Sequence, residues 1–293
     1  EPLVSIIIPA YRAQETIALT IQSLQEQHYS NWEAVIGSND GVDYLAVLAD
    51  QGIQDPRFKQ AYTEGWGTGE SPARNAATAI AQGEIFANLD ADDAYAPNRL
   101  VELVPLAIEY GAAIDNTGVY NQDLVLYKRP FCDRTTITWA TAQDILSPRV
   151  PFFPVFRREF LGKGWRKFAF AADVLFNLEL LSRVETIPIH PDSLYRYYKR
   201  DNSITQSKRA FETIEIGYQQ IFDALAAQEL ELTDSIYKAA IAEFSENQRL
   251  NRVFYRYMQE GRCENLEAFL DLTENGRAAW FKPELEAVAT AIG

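Results

Sequence analysis

The sequence predicts an α/β protein built on a mostly parallel sheet flanked by helices, followed by a mainly helical C-terminal region. Three observations carry this reading. From the start of the chain to about Val125, short β-branched runs alternate with amphipathic stretches, and repeated βα alternation calls for a parallel sheet with helices on both faces. After about Lys208, apolar residues recur at helical spacing. The composition, 47% apolar and 23% charged over 293 residues, suits a globular chain able to bury one large α/β core with a smaller appendage.

The elements follow in order. Val4–Ile8 is a continuous apolar run closed by Pro9, as expected of a strand buried on both faces. Glu15–Gln25 sets Ile17, Leu19, Ile21 and Leu24 among polar residues and reads as a helix. Trp32–Ile36 is a second strand, Asp43–Ala49 a short helix and Phe58–Tyr62 a third strand. Ser71-Pro72 offers an N-cap followed by proline at the first helical position, opening a helix to about Gln82. Ile85–Leu89 is a further strand, and Pro97 opens a helix to about Tyr110. From about Asn116 to Asp201 the pattern is mixed, with strand-like Leu124–Tyr127 and Ser193–Tyr197 around a helix near Ala172–Ser182. Ile214, Tyr218, Ile221, Phe222 and Leu225 share one helical face, and Tyr237, Ala240, Ile241 and Phe244 another. The expected organisation is a main domain over 1–208, divided into 1–115 and 116–208, and a helical region over 209–293.

Charge and composition narrow the function. With 27 Lys+Arg against 41 Asp+Glu the formal charge is 27 − 41 = −14, so no basic face is expected to displace counterions from nucleic acid. No apolar run approaches the roughly 20 residues of a membrane span, and no basic segment with an apolar stretch behind it opens the chain, so no signal peptide is expected. The chain begins at Glu1 and has Met258 as its one methionine, from which trimming of a native N-terminus is expected. Cys132 and Cys263 fit no metal or redox spacing and read as buried or idle thiols of a reducing compartment. His28 and His190 have no partner histidine at ligand spacing and read as structural or solvated.

The chemistry concentrates in Asn88-Leu-Asp-Ala-Asp-Asp93, where Asp90, Asp92 and Asp93 follow an apolar strand. Ligands of parallel sheets sit beyond the C-terminal strand ends. Close carboxylates repel one another and call for a cation or for water, and hard divalent ions such as Mg²⁺ share oxygen ligands with substrate phosphates. A solvated acidic turn capping the next helix would present the same residues. Asp40, in the turn Ser38-Asn-Asp-Gly-Val-Asp43, falls at the same sheet edge, where it would accept hydrogen bonds from a base or ribose or simply close an Asp-Gly turn. Pro9-Ala10-Tyr11 brings a small residue and an aromatic face to that edge. Arg74, in the first turn of the helix after Pro72, would meet an anionic ligand or form a surface ion pair.

Together these segments resemble the family 2 glycosyltransferases of the GT-A fold, a Rossmann-like architecture. The matching stretches are Val4-Ser-Ile-Ile-Ile-Pro-Ala-Tyr11, Ser23-Leu-Gln-Glu-Gln-His-Tyr-Ser-Asn-Trp-Glu33, Asn39-Asp-Gly41, Ala73-Arg-Asn75 and Leu89-Asp-Ala-Asp-Asp93. The resemblance runs over roughly residues 2–208 and loosens after Asn116. It implies that Ala10, Tyr11, Asp40 and Arg74 line a nucleotide pocket, that Asp90 holds the ribose or sugar of the donor, and that Asp92 binds a divalent metal, Mn or Mg, joined to the diphosphate. Asp93 is expected to support the loop. The chain departs from the family in having Arg12 where Asn is usual, and Asn39 and Val42 in a turn that usually reads Asp-Asp-Gly-Ser, so Asp40 or Asn39 is the residue facing the base.

The family's acceptor-side Glu-Asp pair is best matched at Ala172-Asp173, within Phe168-Ala-Phe-Ala-Ala-Asp-Val-Leu175, with the Glu replaced. Asp173 is thus implied to be the general base of an inverting single displacement, and burial in its apolar stretch would raise its pKa towards that task. A helix N-cap is the structural reading of the same residue. Trp165, Phe168 and Phe170 would stack on a sugar or fill the core. Tyr195–Thr205 resembles the family segment ending in Asn-Ser, with Lys199 or Arg200 where a His is common.

The expected partners are a nucleotide-sugar donor, UDP-linked as first choice, and a glycan, lipid-linked or small-molecule acceptor, in a cytoplasmic enzyme able to visit a membrane. A homodimer contact is one role open to the C-terminal helices. Two other classes compete. A dinucleotide oxidoreductase would use Gly65-Trp-Gly-Thr-Gly69 with Asp90 further on, but the glycine spacing and the third-strand position depart from the fingerprint. A non-catalytic nucleotide-sugar or glycan-binding protein on the same fold is supported by Ala172 and Asn39.

Overall fold

Val4–Ala10 forms β1, buried at every position except the partly exposed Pro9. It runs parallel to β2 (Trp32–Ser38) on one side and to β4 (Ile85–Asn88) on the other, and β2 runs parallel to β3 (Phe58–Tyr62). Helices α1 (Ile17–Gln25), α2 (Tyr44–Asp50) and α3 (Glu70–Ile80) make the crossovers. The resulting order β3-β2-β1-β4 means that the chain leaves β1 towards one side and returns on the other. A crevice opens where the order reverses, beyond the ends of β1 and β4. Pro9 is tolerated because β4 has already ended on its side: the Ile7 carbonyl accepts from Leu89 N at 3.1 Å, and Pro9 faces the same way two residues later.

This computed structural model describes residues 1–121, 123–148, 150–200, 209–266 and 268–269. The chain forms two compact units, Glu1–Lys167 with Ala172–Tyr198, and Phe168–Ala171 with Lys199–Gly293. In the first, the sheet continues from β4 through the antiparallel β9 (Val155–Arg157) to β6 (Ala112–Tyr120) and β10 (Pro188–Tyr198), which are parallel to each other. The short β5 (Ala94–Tyr95), β7 (Leu126–Lys128) and β8 (Thr138–Trp139) add antiparallel edges to β10, β6 and β10 respectively. Helices α4 (Arg99–Tyr110), α5 (Ala142–Leu146) and α6 (Ala172–Val184) complete this unit. The second unit holds α7 (Ala210–Ala226) and α8 (Asp234–Gln259). Ile214, Ile221, Ala240 and Phe244 are buried there, whereas Ile241 is 36% exposed. Among the described residues, no helix is long and apolar enough to cross a membrane.

The expected strand pattern missed β6 because its middle is polar. Asp115, Asn116 and Thr117 are all buried, and each has a partner within the protein. Asp115 accepts from Arg99 through two bonds of 3.0 Å and from Ser193 Oγ at 2.9 Å. Asn116 Oδ1 accepts from Phe131 N at 3.1 Å, and Thr117 Oγ1 donates to Pro151 O at 2.6 Å. Arg99 also donates to Phe153 O at 2.5 Å and lies over the Tyr95 ring, so one buried ion pair joins α4, β5, β6 and β10.

Other boundaries differ from expectation. The cap of α3 is Gly69, not Ser71: its φ of 104° turns the chain in a way glycine adopts freely, and Asn39 Nδ2 holds its carbonyl at 2.9 Å. At its other end α3 stops at Ile80, because Gln82 N is bound by Glu33 Oε1 at 2.6 Å and Gly83 N by Ser5 Oγ at 2.8 Å. Helix α4 begins at Arg99 with Asn98 as its cap, two residues later than Pro97 suggested. Cys132 is exposed and Cys263 partly so, and both are free thiols.

Where α3 crosses β2, Gly37 lets the backbones meet. A Cβ at Gly37 would lie 2.1 Å from the Ala73 carbonyl oxygen. Gly37→Ala is expected to push α3 from the sheet and cost about 1–3 kcal/mol, read as a lower urea midpoint, with Arg74 displaced along with the helix.

Candidate active site

The ends of β1 and β4 deliver Tyr11–Arg12 and Leu89–Asp93 to the two sides of the crevice. Ala10 is buried, and its carbonyl accepts from Asn39 N at 2.8 Å, joining the ends of β1 and β2. Tyr11 is 48% exposed. Asp40, expected to face a base or ribose, spends its acceptor positions inside the protein. Oδ2 accepts from Arg12 N at 2.6 Å and Tyr44 OH at 2.8 Å, and Oδ1 from Ser38 Oγ and Val42 N, both at 3.2 Å. Burial works against its charge, but these bonds outweigh it and hold the carboxyl below its usual range. Asn39 is equally engaged: Oδ1 accepts from Thr68 N at 3.1 Å and Thr68 Oγ1 at 2.9 Å, while its carbonyl accepts from Gly67 N at 2.7 Å. The pair therefore shapes the two loops that border the crevice.

On the β4 side the three aspartates have separate surroundings. Asp93 is fully buried, with Oδ2 accepting from Tyr195 OH and Oδ1 from Tyr198 N, both at 2.8 Å. Tyr195 OH in turn accepts from Asp90 N at 3.0 Å, so one hydroxyl of β10 clamps both ends of the loop. Burial, then Asp92 and Asp90, push the Asp93 carboxyl well above its usual range. Asp90 accepts from Arg74 Nη2 at 2.7 Å, yet burial outweighs that cation, and Glu70 and Asp92 add to the effect, taking its pKa to about 7. Asp92 is partly exposed.

Arg74 is 1% exposed and reaches the loop from the second turn of α3. Its Nη1 lies 3.1 Å from Glu70 Oε1, one turn earlier. Neither Nη1 nor Nε has a hydrogen-bond partner among the described residues, so a buried guanidinium keeps donors in reserve beside the carboxylates. Glu70 escaped the sequence reading, although its position four residues before Arg74, behind a glycine-rich loop, was a usable signal. Tyr195 lay in the expected strand Ser193–Tyr197, but its role carried no signal, because Asp90 and Asp93, which it holds, are distant in sequence.

Asp173 lies in the first turn of α6, partly buried, one position inside the helix and not at the cap. Burial and then Glu70 raise its pKa to about 6, against the pull of Arg74 and of first-turn N–H groups. Arg74 thus feels Glu70, Asp90 and Asp173 together. Trp165 is core, stacked on Phe176 at 4.7 Å, and its backbone pairs with Asn75 at 2.7 and 3.0 Å. Phe170 packs edge-on to Tyr218 within the second unit. Lys199 and Arg200 belong to that unit, and Asn202-Ser203 lies outside the described residues.

Among the described residues, no group of three or more His, Cys, Asp or Glu could hold a metal by itself. With Asp93 committed to β10 and Asp90 to Arg74, the donor set fits an ion carried by one or two carboxylates and completed by phosphate oxygens, as Mg²⁺ sites usually are.

A Rossmann-like half with carboxylates at its switch point, extended by a mixed sheet that clamps them, defines a GT-A-type α/β protein. The chain belongs to glycosyl transferase family 2, whose model matches residues 5–165. Its fold is similar to the crystal structure of S. aureus TarS 1–349 in complex with UDP-GlcNAc, with a TM-score of 0.62 at 19% identity, covering 83% of this chain and 71% of that one. The chain is 38% identical over 98 residues to the Escherichia coli UDP-Glc:alpha-D-GlcNAc-diphosphoundecaprenol beta-1,3-glucosyltransferase WfgD, covering 33% of this chain and 38% of that protein. It is 31% identical over 166 residues to the putative colanic acid biosynthesis glycosyl transferase WcaA of Escherichia coli, covering 47% and 57%. Identity to the Rhizobium meliloti succinoglycan biosynthesis protein ExoO is 26% over 226 residues, covering 71% and 64%. The chain spans less than two thirds of the length of each of these three relatives.

The raised Asp173 carboxyl sets a pH dependence of stability. Native Asp173 holds its proton up to about pH 6, while the unfolded chain releases it near about pH 4. The native state therefore binds more protons in that window, and stability falls as pH rises through it. Urea unfolding between about pH 4 and pH 7 is expected to show a fall in stability to which the raised Asp90 and Asp93 carboxyls also contribute, and Asp173→Asn should remove a share of it on the order of 1–2 kcal/mol.

Proposed function

We propose that this protein is a glycosyltransferase of polysaccharide assembly, moving a sugar from a nucleoside diphosphate donor to an acceptor hydroxyl with inversion. The observation that carries the reading is the buried Arg74, which pairs with Asp90 at 2.7 Å and feels the charge of Asp173 from the other half of the first unit. A donor loop and a base candidate are thereby coupled across one crevice.

In this reading Ala10 leaves room for the nucleotide, Tyr11 offers its ring to the base, and Asp40 holds the turn that carries Tyr11. Arg74 holds Asp90 in place for the donor's ribose or sugar and offsets part of the burial that raises its pKa, with its spare donors available to an anion. Asp92 would hold Mn²⁺ or Mg²⁺, which when bound supplies charge neutralisation to the departing diphosphate. Asp173 accepts the proton of the acceptor hydroxyl while that oxygen bonds to the anomeric carbon. The bond from that carbon to the diphosphate oxygen breaks on the opposite face, and its electron pair leaves with the diphosphate. A pKa of about 6 suits a base that is ionised at neutral pH yet basic enough to share a proton.

UDP as the nucleotide is supported by the UDP-Glc in the name of WfgD and the UDP-GlcNAc bound to TarS. A lipid diphosphate acceptor is supported by the diphosphoundecaprenol in the former name, and a cytoplasmic enzyme working at a membrane surface accords with it. The competing reading, a non-catalytic binder, is favoured by Ala172, which stands where an acidic partner of Asp173 would be expected, and by Asn39 in the altered turn.

Two measurements test this. Calorimetric titration of UDP and GDP, with and without Mn²⁺, is expected to show metal-dependent binding that Asp92→Ala abolishes. Asp173→Asn should reduce transfer about 10²–10⁴-fold with nucleotide binding retained, and wild-type kcat/KM should fall below about pH 6 as Asp173 takes up its proton. Full activity of Asp173→Asn would remove the base assignment.

A further inference from the structure

Arg12 is the crevice residue to which this mechanism gives no task. Its backbone lies at φ 52°, in the left-handed region where a Cβ is crowded and where Asn or Gly fits better. The conformation is imposed from outside, because Arg12 N donates to Asp40 Oδ2 and Asp40 is itself fixed by Ser38, Val42 and Tyr44. The side chain is exposed, and its guanidinium carbon lies 5.1 Å from the centroid of the Tyr11 ring. The carboxylate beside it is engaged by its backbone N–H. Its guanidinium has no hydrogen bond or ion pair among the described residues.

The chain thus keeps a long cation, on strained backbone, at the mouth of a crevice rich in carboxylates. Strain of this kind persists where the residue has a use. The other guanidinium of the crevice, Arg74, already faces Glu70 and Asp90. A nucleoside diphosphate entering here adds negative charge to an acidic setting. A guanidinium laid on an aromatic face keeps its edge N–H groups free, and their fork matches two phosphate oxygens at once.

We propose that Arg12 binds the diphosphate of the donor and sets the preference for nucleoside diphosphate over monophosphate. This rests on the donor reading given above and adds to it the residue that pairs with the phosphates from the β1 side.

The test is calorimetry of UDP and UMP against wild type, Arg12→Asn and Arg12→Lys, with thermal melting of all three. Arg12→Asn is expected to weaken UDP about tenfold and UMP distinctly less, while its Tm rises through relief of the left-handed strain. Arg12→Lys should recover part of the UDP affinity, since it restores charge without the fork. If wild type binds GDP instead of UDP, the same series is run with GDP and GMP. Unchanged UDP affinity in Arg12→Asn, or equal losses for UDP and UMP, would overturn the assignment while leaving the donor site standing. A wild type that binds neither UDP nor GDP, with or without Mn²⁺, would remove the donor reading and the role of Arg12 with it.

Discussion

A carboxylate with no access to water, Asp93, holds the crevice in shape. Its two oxygens are bound by Tyr195 OH and Tyr198 N of β10, and its own carbonyl accepts from Thr20 Oγ1 of α1 at 2.9 Å. The loop after β4 is thereby suspended between the parallel half of the sheet and the strand furthest from it in sequence. Since Tyr195 OH also accepts from Asp90 N, the position of Asp90 depends on the same hydroxyl. Burying a carboxylate is costly; the bonds from Tyr195 and Tyr198 offset only part of that cost, as the raised Asp93 pKa reflects, and the same two bonds carry the geometry.

Charge crowding follows from that suspension. Asp90, Asp92 and Asp93 sit within four residues, Glu70 and Asp173 act on the same space, and Arg74 is the buried cation among them. Burial raises the acids, Arg74 restrains Asp90 and Asp173, and the remaining imbalance favours a ligand that brings a cation with it. The ion pair Arg99–Asp115 is the structural counterpart, bidentate and enclosed by Tyr95, Ser193 and Phe153 O, and it locks β6 to α4 so that β10 can reach the loop.

Most of the parallel half was legible because its strands are continuous apolar runs and its helices are amphipathic, signals that local sequence carries by itself. Phe58–Tyr62 and the β1 core were read to within a residue or two. The second half was legible in part: local pattern marked the helix near Ala172–Ser182 and the strand around Ser193–Tyr197, whereas β6 buries Asp115, Asn116 and Thr117 and reads as polar. The site was partly legible for the same reason: Asp90, Asp92 and Tyr11 lie next to strand ends and Arg74 in the second turn of α3, where short motifs mark them. Glu70, Tyr195 and the inward engagement of Asp40 depend on contacts made across the fold.

The sequence by itself determined the alternation of strands and helices, the edge of the sheet at which the acidic turns emerge, and the family, because periodicity and short motifs are local properties of the chain. Tertiary structure decided which carboxylates face inward, which guanidinium is committed and which is exposed, and how far each acid is displaced from its usual pKa. Those outcomes depend on burial and on partners as far apart as Asp93 and Tyr195, and desolvation at a residue is set by what the whole fold places around it.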